Sequence, residues 1–325
     1  MAESAVKRIG VLTSGGDAPG MNAAVRSVVR SALDRGIECI GIRRGWSGLI
    51  NGDFYRMDSG SVSRIINRGG TILYTARSEE FRTAEGQAKA AGVCKLLGLD
   101  GIVAIGGDGT FRGAQELSKC GVSVVGIPGT IDNDIVCTEY TIGFDTANTA
   151  VECIDKLRDT MQSHERCAVV EVMGRHAGYL ALYVGVAVGA TAVLVPEHPY
   201  DFHSQVAEKI RHARLNGKTN FMIVVAEGAA SAVDVGRQIQ EELALDPRVT
   251  ILGHIQRGGS PTAKDRVMAT RMGYEAVRIL AEGKTNRVIC TKDDQIIDLD
   301  IDEGLAMKKT LNSEEFKVMT VMTGM

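Results

Sequence analysis

Apolar residues in this chain gather in short unbroken runs, separated by stretches with helical spacing. Arg8–Thr13 (RIGVLT) reads as a buried strand. Val25, Val28, Val29, Ala32 and Leu33 then recur at helical spacing until Gly36 closes the helix. The alternation repeats with IVAIGG at Ile102–Gly107, VSVVGIP at Val122–Pro128, CAVVEVM at Cys167–Met173, AVLVPE at Ala192–Glu197, FMIVVAEG at Phe221–Gly228 and VTILGH at Val249–His254. Strands apolar at nearly every position belong to a parallel sheet covered on both faces. The predicted fold is therefore α/β, with two doubly wound, mostly parallel-sheet lobes carrying helices on both faces and a lobe boundary near Thr141–Gly143.

One stretch tests this reading. Ala177–Pro196 is uncharged over 20 residues, long enough to span a bilayer. Gly178, Gly185 and Gly189 interrupt it, and it breaks at Gly189-Ala190-Thr191 before Ala192–Val195, so it reads as a buried helix followed by a buried strand.

Composition narrows the function classes. Hydrophobic residues make up 44% and charged residues 24% of the chain, as expected of a folded soluble protein. The net charge of −3 gives no basic field for nucleic acid or an anionic membrane. The 7 cysteines lack C-x-x-C spacing and mostly sit in apolar surroundings, which favours free thiols in a reducing compartment. The opening MAESAVKR has no apolar run of a signal peptide. The expectation is a cytoplasmic protein with no membrane and no nucleic-acid partner.

In doubly wound sheets ligands bind beyond the carboxyl ends of the strands, and three loops there carry chemistry. Thr13–Gly20 (TSGGDAPG) is either a tight strand–helix turn or a phosphate cradle, since its glycines let backbone N–H groups approach an anion at a helix N-terminus. Gly106-Gly107-Asp108-Gly109-Thr110 opens another helix. Asp108 there either caps the helix or holds Mg2+ against phosphate oxygens. Pro128-Gly129-Thr130-Ile131-Asp132-Asn133-Asp134 places two carboxylates two residues apart. It is either an Asx-rich turn or a catalytic loop in which Asp132 takes a proton from an attacking hydroxyl while Asp134 orders metal-bound water.

With these loops the chain resembles the bacterial ATP-dependent 6-phosphofructokinases over nearly its whole length, from TSGGDAPGMNAA at Thr13–Ala24 through INRGGT at Ile66–Thr71, GGDGT, PGTIDND, MGRHAG at Met173–Gly178 and VAEG with Glu227 to GHIQRGGSP at Gly253–Pro261. The resemblance implies Mg-dependent transfer of the ATP γ-phosphoryl group to the 1-hydroxyl of fructose 6-phosphate. It implies catalytic roles for Asp132, Thr130, Arg77 and Arg175, and a magnesium-linked Asp108. It implies ATP contacts at Gly16, Trp46, Arg77, Ser78, Gly107, Asp108, Gly109 and Thr110, with plain packing as the other reading of Trp46. It implies a sugar-phosphate site of Thr130, Ile131, Asp132, Met173, Gly174, Arg175, Glu227, His254, Ile255, Gln256 and Arg257, with Arg166 and Arg248 reaching in from a neighbouring subunit of a homotetramer. On this likeness residues 1–140 with about 258–308 form the ATP-binding lobe, and 141–257 with 309–325 the fructose 6-phosphate lobe.

Donor and regulation follow from departures within the family. Relatives using pyrophosphate carry an acidic residue where this chain has Gly109 and a lysine where it has Gly129, so ATP is the expected donor. Arg26, Arg30, Arg158 and Lys218 match the family's ADP and phosphoenolpyruvate effector site, but Ser59, Thr191 and the Asn216–Asn220 stretch replace other charged groups, so effector control is expected to be weak or altered. Three rivals remain: another kinase with G-G-D-G-[ST], such as an NAD kinase, which leaves MGRHAG and GHIQRGG without a task; a non-catalytic binding subunit, against which Asp108, Asp132 and Arg77 all argue; and a soluble α/β scaffold of no catalytic role, which leaves the glycine-rich loops unexplained.

Overall fold

The computed structural model describes residues 6–311 and 313–322. In chain order the elements are β1 (Arg8–Ser14), α1 (Met21–Asp34), β2 (Glu38–Ile42), α2 (Gly45–Asn51), β3 (Phe54–Met57), α3 (Ala84–Leu97), β4 (Gly101–Gly106), α4 (Asp108–Lys119), β5 (Val124–Pro128), α5 (Phe144–Ala147) and α6 (Ala150–His164). They continue with β6 (Cys167–Val172), α7 (Tyr179–Ala187), β7 (Ala192–Leu194), α8 (Glu208–Leu215), β8 (Phe221–Ala226), α9 (Ala232–Leu243), β9 (Pro247–Ile251), α10 (Ala263–Ala281), β10 (Arg287–Lys292), β11 (Gln295–Asp300), α11 (Ile301–Ala306) and α12 (Ser313–Met322).

The chain divides into two compact units. The first runs through Thr130 and takes in Ile135–Thr146 and Arg257–Lys309; the second holds Ile131–Asp134, Ala147–Gln256 and the chain from Thr310. The main crossing thus falls after Thr146, a few residues beyond the Thr141–Gly143 position expected from sequence, and Arg257 belongs to the first unit.

The first unit is built on a seven-stranded sheet of order β11-β10-β5-β4-β1-β2-β3. It is parallel except for the outer pairs β2–β3 and β10–β11. Central strands β1, β4 and β5 are buried at nearly every position, as both-face coverage requires. On one face Leu12, Ile102, Ala104 and Val124 join Trp46, Leu49, Phe111 and Leu117 in a single core cluster. On the other α1 packs on α10, where Ser27 Oγ donates to the Thr270 carbonyl at 2.6 Å.

The second unit has a four-stranded parallel sheet, β7-β8-β6-β9. Alternate residues of β6 and β8 feed two cores. Ala168, Val170, Val172, Met222 and Val224 pack with residues of α6, α7 and α12, while Cys167, Val169, Ile223 and Val225 pack with α8 and α9. Fully burying each such aliphatic side chain contributes about 1.5–3 kcal/mol. β9 differs from its expected form: it starts at Pro247 and is mostly half-buried or exposed, because it is an edge strand paired only with β6. Ala177–Pro196 forms α7 and then β7, and no helix among the described residues is long and apolar enough to cross a membrane.

Candidate active site

Three adjacent strands of the first unit, β1, β4 and β5, end side by side, so the loops that follow them meet. Thr110 Oγ1 donates to the Ser14 carbonyl at 3.1 Å, and Gly129 N donates to the Gly106 carbonyl at 2.9 Å. The approach is close enough to demand glycine: a Cβ at Gly106 would lie 2.3 Å from Ser14 O and 2.3 Å from Thr110 Oγ1. At Gly109 a Cβ would meet nothing within 4 Å, so the surface of this cradle is open there. Gly107 approaches Thr130, with 3.9 Å between a built Cβ and the threonine Cβ.

Asp108 is the first residue of α4, and Gly107 occupies the cap position without any side-chain cap. The carboxylate therefore does not cap the helix. It faces outward, 43% exposed, and pairs with Arg112 Nε at 2.9 Å. Among the described residues no three His, Cys, Asp or Glu side chains gather around a metal position. A single half-exposed carboxylate beside a glycine-rich turn is a donor set that fits Mg2+, an ion that keeps several waters and takes one or two protein carboxylates.

Further groups arrive from the 71–78 segment and from the start of the last first-unit stretch. Thr75 Oγ1 donates to the Gly15 carbonyl at 2.6 Å, tethering the chain just before exposed Arg77 and half-buried Ser78. Arg257 lies over the first loop, where Nη1 donates to the Asp17 carbonyl at 3.4 Å and a Cβ at Gly16 would meet that nitrogen at 2.6 Å. A residue expected among the sugar-phosphate contacts is thus seated on the first glycine loop. Thr75 was not legible as a site residue, because its contribution is a tether set by folding.

Trp46 is 5% exposed and stacks on Phe81 with 4.6 Å between ring centroids and an interplanar angle of 5°. The indole is a core residue, in keeping with the packing reading.

The second unit collects the other expected residues at the carboxyl ends of β6, β8 and β9. Met173 N donates to Gln256 Oε1 at 2.8 Å, and buried Gln256 donates from Nε2 to the Ala147 carbonyl at 3.4 Å. Arg175 adopts a left-handed conformation, with φ of 57°, and its N–H donates to Glu227 Oε1 at 2.8 Å. His254 and Ile255 are exposed in a short turn after β9. Asp132 is 5% exposed, and Asn133 beside it takes a left-handed φ of 50°. Arg166 and Arg248 stand apart: one precedes β6, the other pairs beside Ala168 near the start of β9, where it also bonds Asp246 at 2.9 Å. The six residues of β6 separate that end from Met173–Arg175, roughly 20 Å along the strand.

The effector candidates fall in both units. Arg26 and Arg30 line a cavity of about 660 Å³ with Arg271, Tyr274 and Glu275. In the second unit Lys218 Nζ donates to Thr191 Oγ1 at 3.2 Å, and Arg158 Nε and Nη2 are buried with no hydrogen-bond partner among the described residues. Burial, aided by the charge of Arg158, pulls the Lys218 pKa below its ordinary value.

The phosphofructokinase family model matches residues 8–280. The chain belongs to the phosphofructokinase family. It is 53% identical over 319 residues to an ATP-dependent 6-phosphofructokinase of Clostridium botulinum, covering 98% of this chain and 100% of that one. It is 55% identical over 314 residues to ATP-dependent 6-phosphofructokinase 1 of Clostridium perfringens, covering 96% and 98%. Among solved structures, phosphofructokinase from Saccharomyces cerevisiae superposes with a TM-score of 0.87 at 36% identity, over 98% of this chain and 48% of the yeast chain. This family member thus spans about half of the yeast chain and essentially all of its clostridial relatives.

Proposed function

We propose that this chain is an ATP-dependent 6-phosphofructokinase, which transfers the γ-phosphoryl group of ATP to the 1-hydroxyl of fructose 6-phosphate and releases fructose 1,6-bisphosphate and ADP in glycolysis. The observation that carries this reading is end-to-end identity above 50% with enzymes of that name. The open surface at Gly109 supports the nucleotide as donor, since the α-phosphate needs that room.

In this reading the first unit binds the nucleotide. N–H groups of the Gly106–Thr110 turn and of the loop after β1 face the phosphates, and Arg77 spreads its charge over the reacting oxygens. Asp108 would hold Mg2+, and the chemistry that ion would supply is neutralisation of the nucleotide's phosphate charge. Asp132, held in a buried loop, takes the proton of the attacking hydroxyl, and Thr130 sits beside the transferred group. In the second unit Glu227 accepts from the sugar hydroxyls, its position shared with the Arg175 backbone, and His254 contacts the 6-phosphate; Arg257, which falls in the first unit, is the other expected contact of that phosphate.

The placement of Arg166 and Arg248 at the opposite end of β6 supports a homotetramer, in which they serve a neighbouring copy's site. A cytoplasmic location accords with this activity. Control by ADP or phosphoenolpyruvate is weak or altered, because Thr191 stands beside Lys218 where the family carries a carboxylate.

A coupled assay tests the reading with purified chain, its mass measured in parallel. Turnover with MgATP and fructose 6-phosphate, little or none with pyrophosphate, and a tetrameric mass are expected. Phosphorylation of NAD in place of the sugar phosphate overturns the assignment, and turnover with pyrophosphate alone overturns the donor.

A further inference from the structure

The chain leaves the first unit after Thr130 and returns at Ile135, and the returning limb is tied to the departing one. Ile142 N donates to the Pro128 carbonyl at 3.0 Å, Ile142 bridges to Gly129, and Thr141 Oγ1 donates to the Thr130 carbonyl at 2.6 Å. The backbone of Pro128–Thr130 is thus held on one side by Gly106 of β4 and on the other by Thr141 and Ile142.

Those two residues are flanked by one buried carboxylate. Asp265, in the first turn of α10, is fully buried. It accepts hydrogen bonds from Tyr140 Oη at 2.5 Å, Gly143 N at 2.7 Å, Thr146 N at 2.8 Å and Thr146 Oγ1 at 2.5 Å. Every one of these partners can be satisfied as a donor, so the ionised, acceptor-only carboxylate fits the place. Its own N–H donates to Thr262 Oγ1 at 3.3 Å, and Thr262 Oγ1 in turn donates to Asp145 at 2.7 Å. The first loop packs against the same point: at Gly20, with φ of 105°, a Cβ would lie 2.6 Å from Ile142 Cγ2 and 3.5 Å from Asp265 Cβ.

We propose that Asp265 is a positioning residue for phosphoryl transfer: by clamping Tyr140–Thr146 to α10 it sets, through Thr141 and Ile142, the backbone of Pro128–Thr130 from which Asp132 follows. The proposal rests on reading Thr130 and Asp132 as members of the reacting loop. A carboxylate that served stability alone would lower the unfolding midpoint and leave turnover of the folded protein intact.

The test is steady-state kinetics of Asp265→Asn, an isosteric change that turns one acceptor into a donor facing donors. Assays run well below each variant's unfolding midpoint. The expected result is a kcat lower by a factor on the order of 10 to 100, as for small misplacements of a reacting group, with KM for MgATP and fructose 6-phosphate changed less than about threefold. Amide hydrogen exchange at Ile142 and Gly143 speeds up in the same variant. Thr146→Val, which deletes one donor, lowers kcat in the same direction, and Thr146→Ser, which keeps the hydroxyl, restores it. A folded Asp265→Asn enzyme with kcat within twofold of the parent overturns the proposal; if that variant does not fold, equal turnover of Thr146→Val and Thr146→Ser overturns it. Asp132→Ser, assayed alongside, separates the two readings: high turnover there removes the base, while the Asp265 result is read on its own kcat and exchange.

Discussion

Thr110 reaches from α4 to the Ser14 carbonyl, 3.1 Å away, and so joins the loops that follow β4 and β1. The threonine is 3% exposed, so no water replaces this donor when it is removed. Thr110→Val is expected to cost about 1–3 kcal/mol, lowering the calorimetric midpoint by a few degrees and raising the KM for MgATP. Thr110→Ser keeps both near the parent.

Asp108 and Arg112 form a pair on an exposed helix face, 43% and 63% open. Such a pair contributes about 0–1 kcal/mol, so Arg112→Ala is expected to leave turnover within about threefold. Asp108→Asn keeps the shape and removes the charge that would hold the metal. Its kcat is expected to fall by roughly 100-fold or more, with a higher Mg2+ concentration needed for half-maximal rate. A titration of Mg2+ at fixed ATP reads both variants.

Gly109 offers open space, so a larger side chain there acts on the ligand and not on the fold. Gly109→Asp is expected to keep the unfolding midpoint, since aspartate is no worse than glycine within a helix. Like charge against the nucleotide phosphates raises the KM for MgATP by about tenfold or more. Calorimetry and initial rates with MgATP check the two halves separately.

Trp46 gives a sharper contrast between packing and binding. As a core residue stacked on Phe81, its change to Ala is expected to cost about 3–5 kcal/mol. Trp46→Phe, which keeps a ring, is expected to leave the KM for MgATP within about twofold. A rise of tenfold or more in that KM with an intact midpoint would return the indole to the nucleotide site.

Arg158 and Lys218 place two cations in one part of the second unit, and the Lys218 pKa is depressed by burial first and by the Arg158 charge second. An anion would relieve that repulsion, but Thr191 adds no charge for a bridging metal. Phosphoenolpyruvate and ADP are expected to shift half-saturation by fructose 6-phosphate less than about threefold. Titration of each at low fructose 6-phosphate measures it, and strong inhibition relieved by ADP would contradict the expectation.

Much of the fold was legible because β1, β4, β5, β6 and β8 are buried on both faces, and such strands are written as unbroken apolar runs. β2, β3, β10 and β11 were not singled out. They lie toward the edges of the first sheet and mix charges such as Arg56, Arg287 and Asp298 with apolar positions. VTILGH was displaced as a strand for the same reason, since β9 is an edge. The loops that meet at the ends of β1, β4 and β5 were legible as loops because glycine clusters follow those strands directly. The Asp265 clamp was hidden: Thr262 and Asp265 show a helix-start spacing, but partners 119 to 125 residues away leave no local trace.

The strand order of the larger sheet also bears on how a growing chain leaves the ribosome. The outer edge of β5 is covered by β10, which is encoded only at Arg287–Lys292. Synthesis delivers all of Ala147–Gln256 first, so β5 waits with a bare row of N–H and C=O groups while the second unit is being made. An uncovered strand edge pairs readily with another chain. Translation stalled before Arg287 therefore leaves a sticky intermediate, whereas adding β10 seals it.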